Sequence, residues 1–161
     1  MTGLLCYIDC MLLDHQLVPQ TIVKPKSFVG LMALYESNYL RLLHVIPELQ
    51  RLDGCFRSRV AGDCDLHVEI LERSRYTVTL SLTYRFDGDR GMVADPDMRL
   101  RAYLDGRLAE AMSVCGQHRH SELRRLVRAH SEELDVRWQR NVILNKWLEY
   151  LTDQGHLILD R

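Results

Sequence analysis

Signatures of the common enzyme classes are missing from this chain of 161 residues. It contains no G-x-S-x-G nucleophile motif, no Walker A loop and no dinucleotide-binding glycine pattern. No apolar run approaches the roughly 20 residues that a membrane-spanning helix needs. The net charge is −1, so no global field attracts the chain to nucleic acid or to anionic lipid. The sequence therefore identifies no function directly.

Cysteines are too few and too irregularly spaced to form a disulfide framework. There are five, an odd number, which favours free thiols in a reducing cytoplasm. The N-terminus is apolar but lacks a basic start, and Asp9 and Asp14 interrupt its apolar run, so we reject a signal peptide. We interpret residues 1–26 as an extension and linker, either a packed short element or a loosely held leader. Residues 27–161 then form a single α+β domain.

The chain does contain a long strand pattern over residues 75–86. Apolar or aromatic residues occupy every even position and polar residues every odd one, which is typical of a strand with one buried and one wet face. We expect Tyr76 and Tyr84 to point into the protein, and Thr79 and Thr83 to point toward water. The rest of the chain should cover the even face.

Helical periodicity appears at both ends of the strand-rich region. Apolar residues recur every three or four positions over 28–46, with Ser27 as the N-cap and Pro47 as the stop. A second helix is predicted from an N-cap at Asp135 to a C-terminal Gly155. The stretch between the last strand and this helix could be one helix or a helix with a break.

Shorter strand patterns flank the long one. We expect strands at 55–60 and 65–73, and a loop over 87–96 because that stretch is rich in glycine, aspartate and proline. The order of helix, about five strands and helix favours an α+β fold. Its antiparallel sheet would carry the N-terminal and C-terminal helices on one face.

A hairpin around Asp105-Gly106 predicts a register, because Asp-Gly is a preferred two-residue turn. The expected pairs are Arg101–Glu110 and Tyr103–Leu108 on one face, and Leu100–Ala111 and Ala102–Ala109 on the other. The inward residues of the last strand would be small: Ala109, Ala111 and Ser113. Trp147 is our candidate for the bulky group above them.

The wet face of the sheet is the best candidate surface. It would gather His67, Glu69, Arg75, Arg99, Arg101, Tyr103 and Glu110. Such a face can hold an unknown protein or a small anionic ligand, or it can be an ordinary solvated face with ion pairs. We predict a non-catalytic binding or adaptor module in which the ligand-binding residues are Arg75, Arg101, Tyr103, Glu110 and Glu36.

Two other functions are kept as alternatives. One is a small nucleotide- or phosphate-handling enzyme whose site combines Glu36, Glu72, Arg75 and Glu110. The other is weak RNA or anion binding through 119–128. In that stretch, the arginines that share one side of a helix are Arg124, Arg125 and Arg128.

Metal and cofactor sites are not expected. Cys115, His118 and His120 lack a fourth ligand for zinc, and nearby arginines would repel a cation. The aspartates of 87–97 do not match the spacing of a calcium loop. We therefore predict neither a metal nor a cofactor.

Three stretches resemble motifs of the YqiB-like family of small bacterial proteins of unknown function. They are MALYESNY at 32–39, ERSRYT at 72–77, and RAYLD at 101–105 followed by Ala-Glu at 109–110. The last helix also fits, whereas 117–134 departs from the pattern. The resemblance implies a bacterial, cytoplasmic, single-domain protein, and it supplies no chemistry that could be transferred to this chain.

Overall fold

A computed structural model describes residues 26–88, 91–115 and 133–160, and no side chains of 86–88, 114–115 and 133. The elements are α1 (Phe28–Val45), β1 (Cys55–Ser58), β2 (Asp65–Arg73), β3 (Thr77–Gly88), β4 (Gly91–Tyr103), β5 (Leu108–Cys115) and α2 (Glu133–Gln154). The strands form one antiparallel sheet in chain order, and both helices pack against it. The predicted α+β architecture is confirmed. The N-terminal extension and Arg124, Arg125 and Arg128 lie outside the described residues.

The core lies between the helices and the even face of β3. The inward residues of β3 are fully buried: Val78, Leu80, Leu82 and Tyr84. They belong to one cluster with Leu42 of α1 and Leu148 of α2. Each such buried side chain contributes about 1.5–3 kcal/mol, so this face holds the sheet and helices together.

The prediction for β3 is wrong at its first residues and on part of its outer face. Tyr76 is 50% exposed because the chain reverses at 74–76, where the Ser74 N–H donates to the Thr77 carbonyl. Thr79 and Thr83 were expected to face water, but they are 6% and 5% exposed. Side chains of β4 cover them and form hydrogen bonds to their hydroxyl groups.

The predicted loop over 87–96 is also wrong. β3 continues to Gly88 and β4 begins at Gly91, which pair with each other across the ladder. Farther along β4, the register shifts so that Asp95 and Pro96 together face one residue of β3. Proline has no N–H to give to the ladder, and a bulge is one of the few places where a strand tolerates it.

The helix ends agree with the sequence at two positions and differ at two. The Ser27 hydroxyl accepts the Gly30 N–H at 3.1 Å, and Gly155 follows α2 with a left-handed φ of 86°, as predicted. Phe28 was placed on the apolar face but is 68% exposed. Asp135 is not the N-cap, because α2 begins at Glu133.

The β4–β5 register is confirmed for all four predicted pairs. The turn is longer than two residues, since the ladder ends at the pair Tyr103–Leu108, and its positive φ of 53° falls on Arg107. An extra residue, Met112, then shifts the register and sets Ser113 opposite the outward-facing Arg99. The prediction that Ser113 points inward is therefore wrong.

Two helix asparagines satisfy the free edge of β5. Asn38 Nδ2 donates to the Ala109 carbonyl at 3.4 Å, and Asn141 Oδ1 accepts the Ala111 N–H at 2.9 Å. Both asparagines are fully buried. The alanines leave room for this approach, while Trp147 packs edge-on against the Tyr84 ring at 5.6 Å. Buried polar groups thus join the helices to the sheet edge.

Candidate functional site

Cross-strand pairing arranges the outer face of the sheet in rows. One row runs across four strands and contains Glu72, Thr79, Arg101 and Glu110. The next row toward the β4–β5 turn contains Tyr103 opposite Leu108. Opposed residues in an antiparallel ladder have Cβ atoms about 5 Å apart, so neighbours in a row are in contact range.

Glu110 is the centre of this end of the outer face. Its carboxylate accepts the Tyr103 hydroxyl at 2.7 Å and the Tyr35 hydroxyl at 3.1 Å. Arg137 Nη1 lies 3.9 Å from the same carboxylate, whose side chain is 16% exposed. Because β5 is an edge strand, residues of α1 and α2 can reach around it to an outward-facing side chain. We call Tyr35, Arg101, Tyr103, Glu110 and Arg137 the Glu110 site.

Arg101 and the two tyrosines are held in place by short polar contacts. Arg101 Nε donates to the Thr79 hydroxyl at 3.3 Å. Burial raises the pKa of both Tyr35 and Tyr103 above its usual value of 10.0, and the charge of Glu110 and its hydrogen bonds raise it further. Both phenols therefore stay protonated near neutral pH and act as donors to Glu110.

The structure brings together three of the five predicted site residues: Arg101, Tyr103 and Glu110. Glu36 is exposed on α1 and forms no hydrogen bond or ion pair with another described residue. Arg75 lies in the turn before β3, with its guanidinium 5.1 Å from the centre of the Tyr76 ring.

The carboxylates proposed for an enzyme site do not converge. Glu72 and Glu110 stand at opposite ends of the four-strand row. At about 4.8 Å between neighbouring strands, their backbones are about 14 Å apart, with Arg101 between them. The arrangement is unlike a pair of catalytic carboxylates that act on one bond.

Two members of the Glu110 site were missed in the sequence. Tyr35 has the helical spacing of a core residue, and it is only 5% exposed, so its pattern predicts packing alone. Arg137 belongs to a helix whose position relative to β5 the sequence does not give. The only signal in the sequence was that Tyr35 is a tyrosine, because a tyrosine on a buried face needs a hydrogen-bond partner for its hydroxyl group.

A second polar cluster, also missed, is buried on the inner side around Asp63. The Asp63 side chain is 6% exposed and accepts the hydroxyls of Tyr84 at 2.8 Å and Tyr150 at 3.2 Å. His156 Nε2 lies 3.3 Å from the same carboxylate, and His156 Nδ1 lies 3.1 Å from the Ser58 hydroxyl. These contacts join β1, β3, α2 and the segment that follows α2.

Polar groups contact both ring nitrogens of His156. The Ser58 oxygen lies 3.1 Å from Nδ1 and also accepts the Leu157 N–H at 3.2 Å. The Tyr84 hydroxyl lies 3.0 Å from Nε2, beside the Asp63 carboxylate. Burial lowers the pKa of His156 below 6.5, although Asp63 opposes this shift. With its donors and acceptors paired, the cluster is suited to fixing the chain rather than to reacting.

No group of three or more His, Cys, Asp or Glu is placed to hold a metal ion within 26–88, 91–115 and 133–160. In the same residues, no helix combines the length and apolar character needed to cross a membrane. His118 and His120 lie outside these ranges.

Comparison with known families places the chain in one of them. Residues 41–157 match the family described as "Protein of unknown function (DUF1249)". The chain belongs to this family. The match begins within α1 and therefore includes Arg101, Tyr103, Glu110 and Arg137 but not Tyr35. No curated protein and no solved structure matches the chain.

Proposed function

We propose that this DUF1249 protein is a non-catalytic binding or adaptor module whose partner contacts the Glu110 site. The main support is the convergence of residues from β4, β5, α1 and α2 on one carboxylate. Side chains that are already held by several elements have little rotamer freedom left to lose when a partner binds. The site is therefore pre-organised for recognition.

The partner inferred from these residues is a protein or a small ligand that presents an anionic group. Arg101 stands between Thr79 and Glu110 in the ladder, and its planar guanidinium suits carboxylate or phosphate oxygens. Arg137 is 45% exposed and adds a second positive charge at the edge of the sheet. Tyrosine and arginine are also the residue types enriched in protein interfaces.

Site-specific cross-linking in the source cell tests this proposal. A photo-reactive residue replaces Arg99, which is exposed on the outer face two positions before Arg101. We expect a discrete cross-linked product that is lost when Arg101→Gln or Tyr103→Phe is added. Circular dichroism on each variant should show an intact fold, since neither change removes apolar core.

The matched control places the same photo-reactive residue at Arg51, an exposed position in the turn after α1. This position should give no product, or a different one. The proposal fails if Arg51 gives the same product as Arg99. It also fails if both variants of the Glu110 site retain the product in full.

A further inference from the structure

A second charged cluster lies at the β1 end of the sheet, away from the Glu110 site. The Asp65 carboxylate is bound by Arg57 Nη2 at 2.7 Å and by Arg59 Nε at 3.4 Å. Arg85 is the cross-strand partner of Asp65 on β3. Two guanidinium groups thus bind one carboxylate, and a third arginine stands opposite it in the ladder, so the positive charge at this point is only partly neutralised.

His67 lies at the centre of this cluster. It is opposite Arg57 on β1 and opposite Thr83 on β3. Burial lowers the pKa of His67 below 6.5, and the positive charge of Arg85 lowers it further. The imidazole is therefore neutral near neutral pH and can share a hydrogen bond with a bound group.

Two other carboxylates on this face, Asp97 and Glu69, are not paired with Arg85. Asp97 accepts the Thr83 hydroxyl at 2.6 Å, and Glu69 lies two positions beyond His67 toward the β2–β3 turn. Arg85 is exposed and forms no hydrogen bond or ion pair among the side chains that the structure describes. With respect to these side chains, its guanidinium can bind an incoming anion without first breaking an ion pair.

We propose that Arg57, Arg59 and Arg85 form a binding site for the phosphate group of a small phosphorylated molecule. Guanidinium groups bind phosphate oxygens through paired, charge-assisted hydrogen bonds. Arginines grouped around one residue suit a single dianion, whereas a nucleic acid needs a stripe of positive charge along its backbone. The site shares no residue with the Glu110 site and does not depend on the function proposed above.

Titration of the intact chain with inorganic phosphate, followed by NMR at constant ionic strength, tests the site. We expect saturable shifts at the amides of 57–59, 65–67 and 85, and a rise in the pKa of His67 because an anion favours the imidazolium. Arg57→Gln and Arg85→Gln should each weaken phosphate binding by about tenfold or more. Arg51→Gln, an exposed control, should bind phosphate as the wild type does.

Two results would overturn the proposal. The first is the absence of a saturable shift at these amides, or equal phosphate affinity in Arg85→Gln and the wild type. The second comes from a parallel titration with short single-stranded RNA. If RNA binds more tightly than phosphate, with an affinity that falls steeply as salt rises, the ligand of this site is a nucleic acid and not a small phosphorylated molecule. Both arginines are exposed, so loss of the fold would not explain either outcome.

Discussion

Two carboxylates in this protein, Asp63 and Glu110, have similar partners in different surroundings. Each accepts hydrogen bonds from two tyrosine hydroxyls: Tyr84 and Tyr150 for Asp63, and Tyr35 and Tyr103 for Glu110. The Asp63 side chain is 6% exposed and lies beside a histidine, whereas Glu110 is 16% exposed and lies beside an arginine. A carboxylate with two tyrosine donors therefore occurs once in the interior and once near the surface.

The comparison indicates how the same arrangement can serve stability in one place and binding in another. A buried carboxylate cannot exchange its protein donors for water, so its partners are needed to keep the fold intact. The donors of Glu110 can be replaced by water, and arginines next to it can contact a partner. We therefore expect changes at Asp63 to affect stability, and changes at the Glu110 site to affect binding.

The largest effect is expected from Asp63→Ala. This change removes the carboxylate that accepts two buried tyrosine hydroxyls and lies 3.3 Å from His156 Nε2, and we expect a loss of about 3 kcal/mol in the free energy of unfolding. Urea denaturation measures it. Asp153→Ala, at an exposed position near the end of α2, should change stability by less than about 0.5 kcal/mol. A loss at Asp63 as small as that of the control would contradict a structural role for the cluster.

Removal of single tyrosine hydroxyls gives a matched pair of intermediate effects. Tyr84→Phe should cost about 1.5 kcal/mol of unfolding free energy, because the hydroxyl is buried and donates to a carboxylate. Tyr103→Phe should cost less than about 0.5 kcal/mol, because water can take the place of its hydroxyl on Glu110. Thermal unfolding of both variants under one buffer provides the comparison. The reverse order would refute the distinction between the two clusters.

A smaller effect is expected from Glu110→Gln. The amide keeps one oxygen that can accept a tyrosine hydroxyl, so we predict a loss of about 1 kcal/mol or less in the free energy of unfolding. Urea denaturation of Glu110→Gln and Asp63→Ala under the same conditions measures the difference between their free energies of unfolding. If Glu110→Gln destabilised the protein as much as Asp63→Ala, Glu110 would belong to the structural framework.

The smallest expected effect is a pH dependence at His156. Burial lowers the folded-state pKa of His156 below 6.5, so the unfolded chain binds the proton more readily. Stability from the neutral histidine is therefore present above the unfolded pKa and is lost as pH falls below it. Between about pH 7.5 and about pH 5.5, the wild type should lose more unfolding free energy than His156→Gln. Equal losses in the two proteins would show that His156 is not responsible.

Local sequence patterns predicted the parts of the fold that neighbouring residues determine. The bounds of β2 match 65–73, and the β4–β5 register follows from one hairpin turn and the alternation beside it. The pairing of Arg101 with Glu110 was predictable for that reason. The same reasoning gave a wrong orientation for Ser113, because the extra residue Met112 reverses which side chains of β5 face outward.

The two tyrosine–carboxylate clusters depend on packing between distant segments. Asp63 and His156 are 93 residues apart in the chain, and their contact requires α2 to end beside β1. Tyr35 and Glu110 are 75 residues apart, and helical spacing shows only that Tyr35 is buried. Arg57 binds Asp65 from β1, and Arg85 stands opposite Asp65 on β3. Local periodicity does not indicate such contacts. The sequence therefore predicted the outer face and three residues of the Glu110 site, but not the long-range contacts of either site.

The most direct measurement combines stability and cross-linking in one variant that carries Arg101→Gln and Tyr103→Phe. Our account predicts that its free energy of unfolding stays within about 1 kcal/mol of the wild type while the product cross-linked from position 99 disappears. A marked loss of stability with the product retained would contradict it, because the Glu110 site would then hold the fold together and bind nothing.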